Sequence, residues 1–253
     1  MIQINTKFIK NNDYIIKIAC GGYHSLFLTH LGYVYGTGDN SCGKLGLTRA
    51  LSTILKATLI NENDIANNKI IDISSSYRHN LLLDQNHNLI VFGWNLFGQI
   101  FDDQDKEYIK QPTYHSFFKN NNIKTKYIET GSDHSLCIDL SGFCYLFGFG
   151  NNSNDAKVYQ PYSIKSNGIN NDIIIDGSCG VEHTILLSNK NNVITFGSNE
   201  YNQCSSLQPS YSNIKSPHIL SKSNEIKINE TNYIQKVIAL RYESIIIVNC
   251  NKT

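Results

Sequence analysis

Short apolar runs of five to seven residues alternate along the chain with polar, turn-forming stretches, and the alternation repeats as a block. Its copies read IACGGYHSLFLTHLGYVYGTGDNSCGKLG (18–46), ISSSYRHNLLLDQNHNLIVFGWNLFGQI (73–100), IETGSDHSLCIDLSGFCYLFGFGNN (128–152) and IDGSCGVEHTILLSNKNNVITFGSNEYNQC (175–204). His24, His79, His134 and His183 recur at a near-constant period, and Glu243 holds the equivalent place in a fifth copy. A glycine follows each histidine at a constant offset: Gly38, Gly93, Gly148 and Gly197. Eight positions after each histidine stand Gly32, His87, Gly142 and Asn191, mostly residues suited to a tight turn.

Each period predicts four short strands. In the third copy these are about 112–118, 126–130, 134–139 and 143–148, joined by turn-rich links. Pro112 and Pro161 stand equally far before His134 and His183 and mark the start of a unit, which places the first unit's start at Ile2. The resulting repeats are about 2–47, 53–101, 112–157, 161–207 and 217–249, all within one domain. No segment sustains a 3.6-residue apolar period with caps, so few helices are expected. Four-stranded units of this length bury their faces only when neighbours stack on them. The prediction is an all-β, β-propeller-like array of four full four-stranded repeats plus a partial fifth, as a closed small ring or an open arc.

The pattern G-x-x-H-[ST]-x-x-L, then G-x-V-Y-x-x-G, then N-x-x-G-Q-L resembles the regulator of chromosome condensation repeat family. Gly21, His24, Ser25, Leu28, Gly32, Val34, Gly38, Asn40 and Gly43 carry it in the first copy. His79, Gly93, Asn95, Gly98 and Gln99 carry it in the second, and His183, Thr184, Gly197, Asn199 and Gln203 in the fourth. The resemblance implies a propeller and several different functions: nucleotide exchange on small GTPases, substrate recognition in ubiquitin ligases, ultraviolet-B perception and enzyme inhibition. Fold alone does not choose among them. The chain departs from the family's seven blades, with a fifth copy in which Arg241-Tyr242-Glu243-Ser244 replaces G-x-x-H-S. Only 249–253 remain for that copy's last strand, which leaves an apolar edge beside Ile245, Ile246, Ile247 and Val248. Such an edge is expected to be covered by the first blade or by a partner strand.

Composition narrows the function. Twenty-two Lys and Arg balance 21 Asp and Glu in 253 residues, so no long-range field of the kind nucleic-acid or anionic-membrane binders use is present. Seven cysteines without a C-x-x-C pair read as free thiols of an intracellular protein, cytoplasmic or nuclear. The amino terminus has no signal-peptide core, and no apolar run reaches the length that a membrane-spanning helix needs.

Several motifs carry a sharper reading beside a structural one. Gly38-Asp39-Asn40-Ser41-Cys42-Gly43-Lys44 fits most of a phosphate loop, but Leu45 stands where a magnesium-binding Ser or Thr belongs. The four histidines invite a metal site, yet equivalent residues on separate blades are too far apart to share an ion. Each imidazole is expected to bond backbone groups inside its own blade. Asp133-His134-Ser135 has the letters of a hydrolase triad, but adjacent strand residues point to opposite faces. Trp94, the single tryptophan, is either a blade-packing residue or an exposed contact anchor. Trp94 and Phe97, with Asp102, Asp103 and Asp105 of the acidic link 102–107, are the candidate partner contacts. No cofactor, metal or catalytic group is called for. The expected function is a non-enzymatic protein-binding scaffold, with guanine-nucleotide exchange on a small GTPase as the alternative and edge-mediated self-association as a further partner mode.

Overall fold

The computed structural model describes residues 9, 12–48, 52–60, 68–100, 106–149, 158–164, 172–205, 213–220 and 232–250. Four antiparallel four-stranded sheets follow one another as blades. The first holds β1 (Ile15–Cys20), β2 (His24–Thr29), β3 (Val34–Asp39) and β4 (Thr53–Leu59), and the second β5 (Ile70–Ser75), β6 (His79–Asp84), β7 (Leu89–Trp94) and β8 (Tyr108–Tyr114). The third holds β9 (Thr125–Thr130), β10 (His134–Asp139), β11 (Cys144–Gly148) and β12 (Val158–Ser163). The fourth holds β13 (Ile174–Cys179), β14 (His183–Ser188), β15 (Val193–Ser198) and β16 (Asn213–Ile219). A fifth sheet has two strands, β17 (Asn232–Ala239) and β18 (Ser244–Cys250). Among the described residues, helix is confined to the single turn α1 (Ser116–Asn120) and a 3₁₀ turn at Ser41–Gly43.

The core lies between blades. Side chains two and four positions after each repeat histidine pack forward onto the next sheet. Leu26 and Leu28 meet Ile73, Leu82, Ile90 and Phe92 of the second blade. Leu81 and Leu83 meet Ile128 and Cys137 of the third. Leu136 and Ile138 meet Leu186, Ile194 and Phe196, and Ile185 and Leu187 meet Ile234 and Val237. A blade on its own would leave both apolar faces in water, so the repeats fold as an array.

The sheets are phased differently from the sequence repeats. The strand containing Pro112 pairs backwards with β7, not forwards with β9, and begins at Tyr108, while Phe117 and Phe118 fall in α1. Pro161 and Pro217 likewise lie on β12 and β16, the outer strands of the preceding sheets. All three prolines fall where the ladder register shifts, between Val91/Gly93, Leu146/Gly148 and Thr195/Gly197 of the neighbouring strand. Proline offers no N–H to a ladder, so a bulge on an edge strand is where it fits. These prolines therefore close one blade rather than open the next. The fifth blade loses 217–220 to the fourth sheet by the same rule and, among the described residues, has two strands rather than the three expected. The first-repeat start at Ile2 lies outside the described residues.

Candidate functional site

Each blade's first hairpin is held by the same bond. The N–H three positions before the histidine donates to the histidine carbonyl, from Gly21, Ser76, Gly131 and Gly180 at 2.8–3.1 Å, and Leu240 does the same to Glu243. A side chain at Gly21, Gly131 or Gly180 would drive its Cβ into the imidazole. Where serine stands instead, at Ser76, its hydroxyl lies 3.1 Å from His79 Nδ1. The repeat glycine that follows faces the histidine across the ladder, and Gly93 has φ of +109° with the Arg78 carbonyl 2.5 Å from where a Cβ would stand. Trp94 N–H donates to that same carbonyl at 2.9 Å.

The histidines reach forward to the next blade, which corrects the expectation of bonding within their own. His24 Nε2 lies 2.8 Å from Asn80 Oδ1, His79 Nε2 3.0 Å from Ser135 Oγ and His134 Nε2 3.2 Å from Thr184 Oγ1. His183 Nε2 lies 3.2 Å from both the Glu243 carbonyl and Ser244 Oγ. Asn80 and Ser135 in turn donate back to the Lys44 and Gln99 carbonyls of the preceding blade, at 2.8 and 2.6 Å. Since the Ser135 hydroxyl is committed to Gln99, His79 Nε2 must carry the proton and donate. Burial keeps these imidazoles neutral. It pushes His79 and His134 down to about 3 and His183 to about 4, and lowers His24 in the same direction. The histidines are blade-to-blade fasteners, and among the described residues no group of three or more His, Cys, Asp or Glu could hold a metal ion.

The phosphate-loop and triad motifs resolve into packing. Lys44 Nζ is held by Asp39 Oδ2 and the Ser41 hydroxyl and is almost wholly buried, so its charge is already matched. Its loop is pinned by Asn40, which accepts from Leu45 N–H at 3.2 Å and donates to the Leu47 carbonyl at 2.9 Å. Asn95 and Asn199 staple the matching loops of blades two and four. Ser135 serves His79 of the preceding blade rather than His134 beside it. Cys20, Cys42, Cys137, Cys144, Cys179 and Cys204 are free thiols. No helix among the described residues is long and apolar enough to cross a membrane.

All five blades turn their first hairpins toward one axis. The turns Cys20–Gly22, Ser76–Tyr77, Thr130–Ser132, Cys179–Val181 and Ala239–Arg241 surround a hollow of about 580 Å³. Around its mouth, the two positions before each repeat histidine, and before Glu243 in the fifth blade, carry Gly22-Tyr23, Tyr77-Arg78, Ser132-Asp133, Val181-Glu182 and Arg241-Tyr242. Two of the chain's three arginines stand here. Aromatic pairs bridge successive blades at this end: Tyr23 with Tyr77 at 6.0 Å, Phe97 with Phe149 at 5.1 Å and Tyr201 with Tyr242 at 5.0 Å. The Arg78 guanidinium lies 3.7 Å over the Trp94 ring and 5.0 Å from Tyr77, so three side chains share one cation–π stack. Tyr23, Tyr77, Tyr201 and Tyr242 are exposed, while Trp94 and Phe97 are half-buried.

Of the candidate contacts, Trp94 and Phe97 thus come to this face, while Asp102, Asp103 and Asp105 lie outside the described residues. Sequence reasoning missed Tyr23, Tyr77, Arg78, Arg241 and Tyr242. The available signal was the residue pair before each histidine, where large exposed side chains recur in the middle of an otherwise tight turn.

A second, smaller hollow is bordered by charged side chains. Lys17, Tyr127, Glu129, Ser178 and Lys236 border a hollow of about 300 Å³. Lys17 pairs with Asp72 across the first two blades. Burial raises the Glu129 carboxyl to about 7, with Asp72 and Asp176 adding to the rise and Lys17 and Lys236 opposing it.

The chain matches the regulator of chromosome condensation (RCC1) repeat at residues 15–44, 70–99 and 174–203, in blades one, two and four. It is similar to the human probable E3 ubiquitin-protein ligase HERC6, 28% identical over 195 residues that span 74% of this chain and 18% of HERC6. It is 22% identical to the ultraviolet-B receptor UVR8 of Arabidopsis thaliana over 186 residues, 72% of this chain and 41% of UVR8. Among solved structures, human WBSCR16 superposes with a TM-score of 0.77 at 18% identity, covering 94% of this chain and 58% of that one. Prp20p from Saccharomyces cerevisiae, described with its binding properties to Gsp1p and histones, gives 0.75 at 20% identity over 92% and 55%. The chain spans well under two thirds of each of these proteins, and the structural likenesses establish the fold.

Proposed function

Because the chain belongs to the regulator of chromosome condensation repeat family, we propose that it is a non-enzymatic scaffold whose first-hairpin face binds a protein partner. The observation that carries this reading is the bracket of Tyr23, Tyr77, Arg78, Trp94 and Tyr242 around the axial hollow. Turns on a rigid framework are where binding residues collect, and aromatic and arginine side chains dominate binding hot spots. Arg78 is held by its two rings, so it loses little freedom on contact with a carboxylate or a backbone carbonyl. Trp94 and Phe97 extend this surface, and Asp102, Asp103 and Asp105 of the following link are candidate contacts for a basic patch on the partner. Six free thiols among the described residues favour a reducing workplace, cytoplasmic or nuclear. Affinity capture with the native chain and with a Tyr77→Ala/Arg78→Ala variant tests the reading. A stoichiometric partner lost in the variant supports it, and a partner retained at equal yield refutes this face.

Guanine-nucleotide exchange on a small GTPase is the second reading, favoured by the likeness to Prp20p, whose structure is described with Gsp1p binding. Exchange requires no nucleophile or general base, which suits a hairpin face that presents rings and guanidinium groups. A nucleotide-release assay against a panel of small GTPases tests it, and no acceleration with any of them retires it.

A further inference from the structure

We propose that the smaller hollow binds a small zwitterion, a molecule with one ammonium and one carboxylate group, held by Glu129, Ser178 and Lys236. The site shares no lining residue with the hollow of the hairpin face and stands independently of what that face binds.

The residues seven positions before each repeat histidine, and before Glu243, are Lys17, Asp72, Tyr127, Asp176 and Lys236. Four of these are committed to fastening one blade to the next. Lys17 pairs with Asp72, Tyr127 donates its hydroxyl to the Gly177 carbonyl at 2.6 Å, and Asp176 accepts from Val237 N–H at 3.3 Å. Lys236 borders the hollow, and among the described residues no hydrogen bond or ion pair holds its ammonium.

Two positions further along the same strands stand Ala19, Ser74, Glu129, Ser178 and Ile238. Packing of the blades therefore requires no acid here, since small or apolar side chains fill the place in the other four. Ser74 is bonded to the Thr130 hydroxyl at 2.7 Å. Glu129 and Ser178 instead border the hollow, and among the described residues neither side chain has a hydrogen-bond partner. Ser178 is only 7% exposed, so its hydroxyl depends on what the hollow holds. Buried polar groups are costly unless bonded, and here an acid, a hydroxyl and an amine converge on one space without bonding each other.

The two unspent charges have opposite signs, which selects the ligand. A simple cation would satisfy Glu129 but face the Lys236 ammonium, and a simple anion would satisfy Lys236 but face Glu129. A molecule with both groups pairs with both through charge-assisted hydrogen bonds and leaves the net charge of the site unchanged. The volume of about 300 Å³ lies at the lower end of the roughly 300–1,000 Å³ of small-molecule pockets, which suits an amino-acid-sized compound. Burial holds the Glu129 carboxyl at about 7, with Asp72 and Asp176 raising it and Lys17 and Lys236 opposing. The neighbouring Tyr127 and Cys179 are pushed up by burial and stay neutral. A ligand ammonium that pairs with ionised Glu129 therefore releases a proton on binding near neutral pH.

Isothermal titration calorimetry of the native chain with glycine, β-alanine, γ-aminobutyrate and ε-aminocaproate tests the site, with methylamine and acetate as the separate halves. At least one amino acid should bind about tenfold more tightly than either half. Its binding should release a proton at pH 7, read from the dependence of the heat on the buffer's ionisation enthalpy. Glu129→Gln and Lys236→Gln should each weaken that binding about tenfold or more, and Glu129→Gln should also abolish the proton release. Urea unfolding checks that the variants are folded, and Lys236, whose side chain is exposed, supplies the test should Glu129→Gln unfold. No binding of any amino acid at millimolar concentration, a half that binds as tightly as the best of them, or undiminished binding by either folded variant would each overturn the proposal.

Discussion

Acidification should unfold this protein through the histidines that fasten its blades. His79, His134 and His183 are held neutral by burial, at about 3, 3 and 4 against an ordinary 6.5. The folded values lie below the unfolded one, so the stabilising contribution is complete above about pH 6.5 and is lost as pH falls through 6.5 toward the folded values. At pH 5 each such imidazole costs about 2 kcal/mol relative to pH 7.5, and the three together about 6 kcal/mol. Glu129 acts in the opposite sense. Its carboxyl is raised to about 7, so its protonated form favours the fold as pH falls and returns about 2 kcal/mol by pH 5. The net loss of about 4 kcal/mol is a large part of the roughly 5–15 kcal/mol typical of a domain. Urea unfolding at pH 7.5 and pH 5, followed by Trp94 fluorescence, measures it. His134→Gln removes one titrating group and should flatten the acid slope by about 1.4 kcal/mol per pH unit between pH 6 and 4, whatever it does to stability at neutral pH. An unchanged slope in that variant would show that His134 takes up no extra proton on unfolding, and the fastening argument would fail with it.

Three further outcomes follow from the same geometry. Ser135→Ala removes the hydroxyl that joins His79 Nε2 to the Gln99 carbonyl and should cost about 1–3 kcal/mol in urea unfolding, whereas Ser135→Thr, which copies Thr184 of the fourth blade, should cost much less. Gly93→Ala forces a Cβ against the Arg78 carbonyl at a left-handed position and should lower stability by at least about 1–3 kcal/mol. Ile246→Lys buries an amine in the apolar cluster between blades four and five and should shift the thermal midpoint down by several degrees, while Ile245→Lys on the exposed face should leave it within error.

The histidine period, the glycine that follows each histidine at a fixed offset and the turn chemistry between them determined the strands and their hairpins. Those features are local: a 2.8 Å bond across a tight turn and a ladder glycine at +109° are set by residues close together in the chain. Spacing did not decide which sheet owns the strand bearing Pro112, because long links flank it on both sides and only pairing with β7 identifies it as an edge. Nor could spacing show where the imidazoles point. His79 and Ser135 are far apart in the chain, and their contact exists only once two blades stack. The hairpin face is legible in hindsight as Tyr77-Arg78 and Arg241-Tyr242, but sequence treats each as an ordinary turn. Five turns become one surface because inter-blade packing turns them all toward a single axis, and that convergence depends on burial between sheets that no single repeat contains.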